Sequence, residues 1–101
     1  ADFTIYTSVL TWEVDAWTSD SLDNKPFIAL SPAGEVFITD PDLGRVIRFD
    51  SEGNFLQLWG GYENTYLMGI ISGIAIGQDG TVWVSDALNN ILLVFEPPAV
   101  P

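Results

Sequence analysis

The chain states nearly the same segment twice, and that repetition limits what it can fold into more than any other feature. Phe27 to Asp50 returns 46 positions later as Gly73 to Glu96. Identities fall on Ile28/Ile74, Ala29/Ala75, Gly34/Gly80, Val36/Val82, Asp40/Asp86 and Phe49/Phe95. Most other aligned pairs keep size or polarity, as in Phe37/Trp83, Ile38/Val84 and Thr39/Ser85. No window sustains a helical period. Short runs of Val, Ile, Phe, Trp and Thr alternate instead with clusters of Gly, Asp, Asn and Pro, the pattern of an all-β chain.

Each copy resolves into the same parts. Phe27 to Leu30 and Gly73 to Ile76 are continuously apolar, as a strand buried on both faces would be. Ser31-Pro32-Ala33-Gly34 and Gly77-Gln78-Asp79-Gly80 place glycine where a hairpin needs positive φ. They lead into Glu35 to Thr39 and Thr81 to Ser85. Turns beginning at Asp40 and Asp86 then feed Arg45 to Phe49 and Ile91 to Phe95, and the first copy adds Phe55 to Trp59 after a further turn. Units of four short strands at a period in this range predict β-propeller blades. The whole chain, 1–101, reads as one two-blade unit: closing strand or strands over 1–17, a first blade over 26–59, a second over 72–96 that lacks its fourth strand, and a proline-rich tail over 97–101.

These residues resemble the NHL repeat, a family of six-bladed propellers. The second copy carries the resemblance through Ser72-Gly73-Ile74-Ala75-Ile76, Asp79-Gly80, Val82-Trp83-Val84-Ser85-Asp86 and Phe95. The first carries it through Gly34, Val36-Phe37-Ile38-Thr39-Asp40, Arg45-Val46, Phe49-Asp50 and Gly53-Asn54-Phe55. The resemblance implies that Asp40 and Arg45 pair to clamp the first blade. In the second, Asp86 is present but Ile91 stands where arginine is expected, so Asp86 caps backbone amides unaided or that blade meets a partner differently. Ile71 replaces the usual proline before the inner strand. Trp12 to Trp17 followed by Asn24 to Leu30 also looks like the propeller modules at the C-termini of some bacterial membrane glycosyltransferases.

The ends carry the argument about assembly. Pro97-Pro98-Ala99-Val100-Pro101 cannot supply a fourth strand to the second blade, because proline removes ladder donors and fixes φ. Trp12 to Trp17, ahead of the first blade, aligns with Phe55 to Trp59, which gives Trp17 and Trp59 equivalent places. Two blades cannot bend round to close on themselves, since each blade of a six-blade ring turns ~60°. The expected partner is therefore a second copy, whose Glu13 to Trp17 strand pairs with Ile91 to Phe95. The expected interface comprises Trp12, Val14, Ala16, Trp17, Ile91, Leu93 and Phe95. It is head-to-tail, so it closes into a ring or runs on as a fibre. Three copies give six blades and are favoured; two or four would give four or eight. Phe3 to Val9 reads as a further strand or a long extension reaching across that boundary.

Composition removes several kinds of chemistry. Cysteine and histidine are both absent, so disulfides, thiolate metal sites, Ser-His and Cys-His catalysis have no residues to build them. The histidine-bound metal of NHL-like lyases has no counterpart here. Asp40 and Asp42, two apart on a turn, are the nearest approach to a calcium pair, although aspartate in a turn ordinarily caps backbone amides. No cofactor or catalytic residue is expected. Fourteen acidic residues against Lys25, Arg45 and Arg48 leave a net charge of −11, which repels phosphate backbones and anionic leaflets and argues against nucleic acid. No run reaches the ~18 to 20 apolar residues that span a bilayer. Location is left open, with an exported or extracellular setting favoured. The functional expectation is a non-enzymatic propeller module that self-assembles and serves as a protein-protein interaction scaffold. The alternative is a ligand- or carbohydrate-binding module cut from a larger membrane-attached enzyme.

Overall fold

The computed structural model of the chain describes residues 8–14, 25–41, 43–60 and 68–97. All regular structure among the described residues is β-strand, in two antiparallel sheets of four and three strands. The first sheet runs β1 (Ile28–Leu30), β2 (Val36–Asp40), β3 (Arg45–Phe49) and β4 (Phe55–Gly60). The second runs β5 (Ile71–Ile76), β6 (Val82–Asp86) and β7 (Ile91–Phe95). In both sheets each strand pairs with its neighbour in sequence.

The internal repeat is also a repeat of register. Ile28↔Ile38, Ala29↔Phe37 and Leu30↔Val36 return as Ile74↔Val84, Ala75↔Trp83 and Ile76↔Val82. Val36↔Phe49 and Val46↔Thr39 return as Val82↔Phe95 and Leu92↔Ser85. Turn chemistry explains why. Ser31 N–H donates to the Glu35 carbonyl and Gly34 N–H to the Ser31 carbonyl, both at 2.9 Å; Gly77 and Gly80 make the same two bonds at 2.8 and 3.0 Å. Gly34 and Gly80 sit at φ 85° and 87°, the left-handed position that ends a three-residue hairpin loop. In the next turn Gly44 and Asn90 share the left-handed conformation at φ 60° and 58°, asparagine being one of the few other residues that accept it.

Side chains alternate across each strand, so each sheet has two distinct faces. Phe37 and Val46 lie on one face of the first sheet and join Met68, Ile71, Val82 and Val84 in a buried cluster that spans both sheets. Trp59, Ile74, Ile76, Leu93 and Phe95 pack round it. Trp59 stands edge-on to Phe37 at 6.1 Å and to Phe95 at 5.8 Å, bridging the two sheets. The opposite face of the first sheet forms a second cluster of Val36, Ile38, Ile47 and Phe49, covered by Trp12 and Val14. Burying such side chains stabilises by roughly 1.5 to 3 kcal/mol each, so these two clusters hold the chain together.

The sequence expectations for 1–7 and 15–24 fall outside the described residues, among them Ala16, Trp17 and most of the Phe3 to Val9 strand. Residues 8–14 form no strand within the single chain.

Candidate functional site

The described residues leave two apolar surfaces uncovered, and each is the repeat-related copy of a surface buried inside the chain. Trp83 and Leu92, at 45% and 66% exposure, occupy the places that Phe37 and Val46 occupy at 1% and 0%. Val94, beside them, is exposed as well. At the other end, Ile28 and Leu30 of β1 are 65% and 64% exposed, whereas their counterparts Ile74 and Ile76 are half-buried in the cluster between the sheets. The pairing that buries Phe37 and Val46 against the second sheet is thus missing one repeat further on. Each exposed surface is the repeat-related copy of one that packs inside the chain.

β7 adds an open edge to that surface. In the first sheet β3 is flanked by β2 and β4, while among the described residues β7 is paired on the β6 side alone. An unpaired edge beside exposed apolar side chains is a template for a further strand. Of the interface residues expected from sequence, Ile91 is exposed on this strand, and Leu93 and Phe95 face the first sheet. Their neighbours Leu92 and Val94 are the ones turned outward, which the alternation of side chains requires once Leu93 and Phe95 pack toward the first sheet. Trp12 and Val14 lie against the first sheet of their own chain.

Trp12 repeats a contact seen elsewhere in the molecule. It packs on Phe49 at 6.3 Å, and Phe49 is the counterpart of the Phe95 that receives Trp59. The ring lies over the turn at Gly53, where an added Cβ would come within 2.7 Å of it. Sequence alignment gives the place of Trp59 to Trp17; among the described residues, Trp12 makes the equivalent contact.

The two repeated aspartates are each 1% exposed and solve their burial differently. Asp40 Oδ2 accepts Arg45 Nε at 2.8 Å, and its Oδ1 has no hydrogen-bond partner among the described residues. Asp86 has no arginine. Its Oδ2 accepts Gly69 N–H at 3.0 Å and Asn89 Nδ2 at 2.7 Å, and its Oδ1 accepts the Ile70 and Asn89 amides at 3.2 and 3.3 Å. Burial pushes the Asp86 carboxyl up, but these donors outweigh it and leave the pKa below the ordinary carboxylate value. Asp86 therefore ties the incoming strand connection to the β6–β7 turn. Arg48 is the other internal cation: it donates to Glu35 at 2.6 Å and to Gln57 at 2.7 Å while lying over the Phe37 ring.

Described residues of both halves line two of the cavities. One, of about 490 Å³, is lined by Lys25, Phe27, Pro41, Ile70, Ile71 and Ser72 among others, and Ser72 is bonded to Ser85. The second, of about 360 Å³, lies near Glu35, Arg48 and Asp79. Among the described residues no three acidic side chains gather as metal ligands would; Asp42 lies outside them. No described helix is long and apolar enough to cross a membrane. Compared with known proteins, the chain matches no family model and no curated sequence.

Proposed function

We propose that this chain is a two-blade propeller unit of NHL-like type, without enzymatic activity, whose biochemical role is to assemble head to tail with further copies into a protein-interaction scaffold. One observation carries the reading: positions buried between the two sheets are exposed where the repeat would place the next neighbour, Phe37 and Val46 becoming Trp83 and Leu92. A surface already used for packing within the chain fits the same partner surface in another copy. The arrangement is heterologous, since the face around Trp83 and the face around Ile28 differ. Such contacts propagate until they close. Three copies complete six blades, the number the NHL resemblance implies.

Trp83 bears on the carbohydrate-binding alternative. An exposed indole can stack on a sugar, but here it holds the place of a buried Phe37, with exposed Leu92 and Val94 beside it. An apolar surface of that kind favours a protein face over a sugar.

The test is the native mass. A discrete species of about three times 11.1 kDa is expected, by light scattering or native mass spectrometry, and Leu92→Glu should reduce it to single chains with unchanged β-sheet circular dichroism. A stable monomer of the unaltered chain would sink the proposal and assign both surfaces to something other than a second copy.

A further inference from the structure

We infer that Trp12, rather than Trp17, is the residue that joins one copy to the next, and that the segment around it enters the open sheet in one particular register. The inference rests on the head-to-tail reading and specifies how that contact is made.

Three observations converge on Trp12. Trp59 bridges the sheets by touching Phe37 on one side and Phe95 on the other. Trp12 already makes the second of these contacts in its repeat-related form, on Phe49. The repeat-related form of the first is Trp83, which is exposed. A Trp12 resting on its own Phe49 therefore has its other contact open to the Trp83 of a neighbouring copy. Chain length agrees. Trp59 lies 15 residues before Ile74, and Trp12 lies 16 before the equivalent Ile28; Trp17 would leave only 11. A connection shortened by four residues would have to span the same path from outer to inner strand.

The register follows from the pairing of β3 with β4. There Val46 stands opposite Trp59, Arg48 opposite Gln57 and Arg45 opposite Gly60. Carried one repeat along, Leu92 of one copy stands opposite Trp12 of the next, Val94 opposite Leu10 and Ile91 opposite Glu13. Leu10 and Val94 are both about half exposed in the single chain, so this pairing covers apolar surface on both copies. The segment also supplies backbone donors and acceptors to the edge of β7 that no described strand occupies, as β4 does for β3. It stays packed on its own first sheet while adding to the neighbour's second. One segment thus belongs to two copies, and the contact between Trp12 and Val14 and their own sheet holds it in place before the neighbour arrives.

The absence of native cysteine makes the register directly measurable. Residues directly opposite in an antiparallel pair have Cα atoms ~4.5 to 5.5 Å apart, within the ~4.4 to 6.8 Å that a disulfide spans. A chain carrying Leu10→Cys, mixed with a tagged chain carrying Val94→Cys and mildly oxidised, should give a disulfide-linked pair of tagged and untagged chains in high yield. Asp15→Cys in place of Leu10→Cys tests the register in which Trp17 takes the place of Trp59, and should cross-link at background level. Both positions on the supporting pair are exposed, so the substitutions spare the core. Native mass of the unaltered chain is read first. A monomer overturns the assembly itself, whereas an assembled chain that fails to link 10 to 94, or links 15 to 94 instead, overturns only the register.

Discussion

The first sheet and the second are built from the same sequence pattern, yet the face that is covered on one is exposed on the other. Phe37 and Trp83 hold the same place in the repeat; the first is 1% exposed and the second 45%. Nothing in their immediate neighbours along the chain separates them. What differs is what lies across from each sheet, so burial here belongs to the neighbour and not to the residue. The same is true at the other face, where Ile74 and Ile76 are sheltered and Ile28 and Leu30 are not. The buried aspartates differ too, one matched by a side chain of its own turn and the other shared between Asn89 of its own turn and the backbone of a remote connection.

Breaking the covered face should have the largest effect. Phe37→Ala empties a fully buried site between the sheets and should cost about 3 to 5 kcal/mol in urea unfolding. At conditions that keep the chain unassembled, Trp83→Ala should change stability by no more than ~0.5 kcal/mol, as an exposed position does. Under assembling conditions the order changes: Trp83→Ala should weaken self-association on the order of 30-fold or more by sedimentation, the scale of an interface hot spot. Equal effects of the two substitutions on the isolated chain would erase the distinction drawn between the sheets.

The turns offer a second contrast. Gly44→Ala would drive its Cβ into the backbone carbonyl of Met68 as well as straining a left-handed residue, and a marked drop in thermal midpoint is expected. Asn90→Gly relieves the same backbone conformation and should change stability by less than about 1 kcal/mol.

Asp86→Asn keeps the shape of the group but turns an acceptor toward fewer donors, and a loss of about 1 to 3 kcal/mol is expected at neutral pH. Its signature is the pH dependence. Because the folded pKa lies below the ordinary value, ionised Asp86 contributes stability that is complete above about pH 4 and is lost as pH falls through the folded pKa. Acid unfolding followed by circular dichroism should therefore have a shallower limb in Asp86→Asn. An unchanged limb would mean that the four donors contribute nothing to folding.

Salt should give the smallest change. Copies of net charge −11 repel one another, so raising ionic strength from 0.05 to 0.5 M should tighten assembly by roughly several-fold through screening. Weaker assembly in salt would point to specific ion pairs across the contact.

The strands, the hairpin loops and the equivalence of the two copies are all legible in the residues. Alternation places side chains on faces, Gly34 and Gly80 mark the loops, and both signals act over a few positions. The choice between Trp12 and Trp17 is not legible in that way. Aligning residues 12–17 with β4 gives the place of Trp59 to Trp17, five residues further along the chain than Trp12. The contact with Phe49 singles out Trp12, and the spacing to the inner strand agrees with it. The partners of Asp86 were hidden for a similar reason: Gly69 and Ile70 lie in a connection with no copied sequence to compare, and amide donors leave no mark on residue type.

Local backbone preference and side-chain alternation, written residue by residue, were enough to specify strands, turns and two repeated sheets. Which face of each sheet is covered, and by what, depends on surfaces brought from distant parts of the chain. That burial is a property of the assembled packing, because water is excluded by two surfaces meeting and not by either one alone.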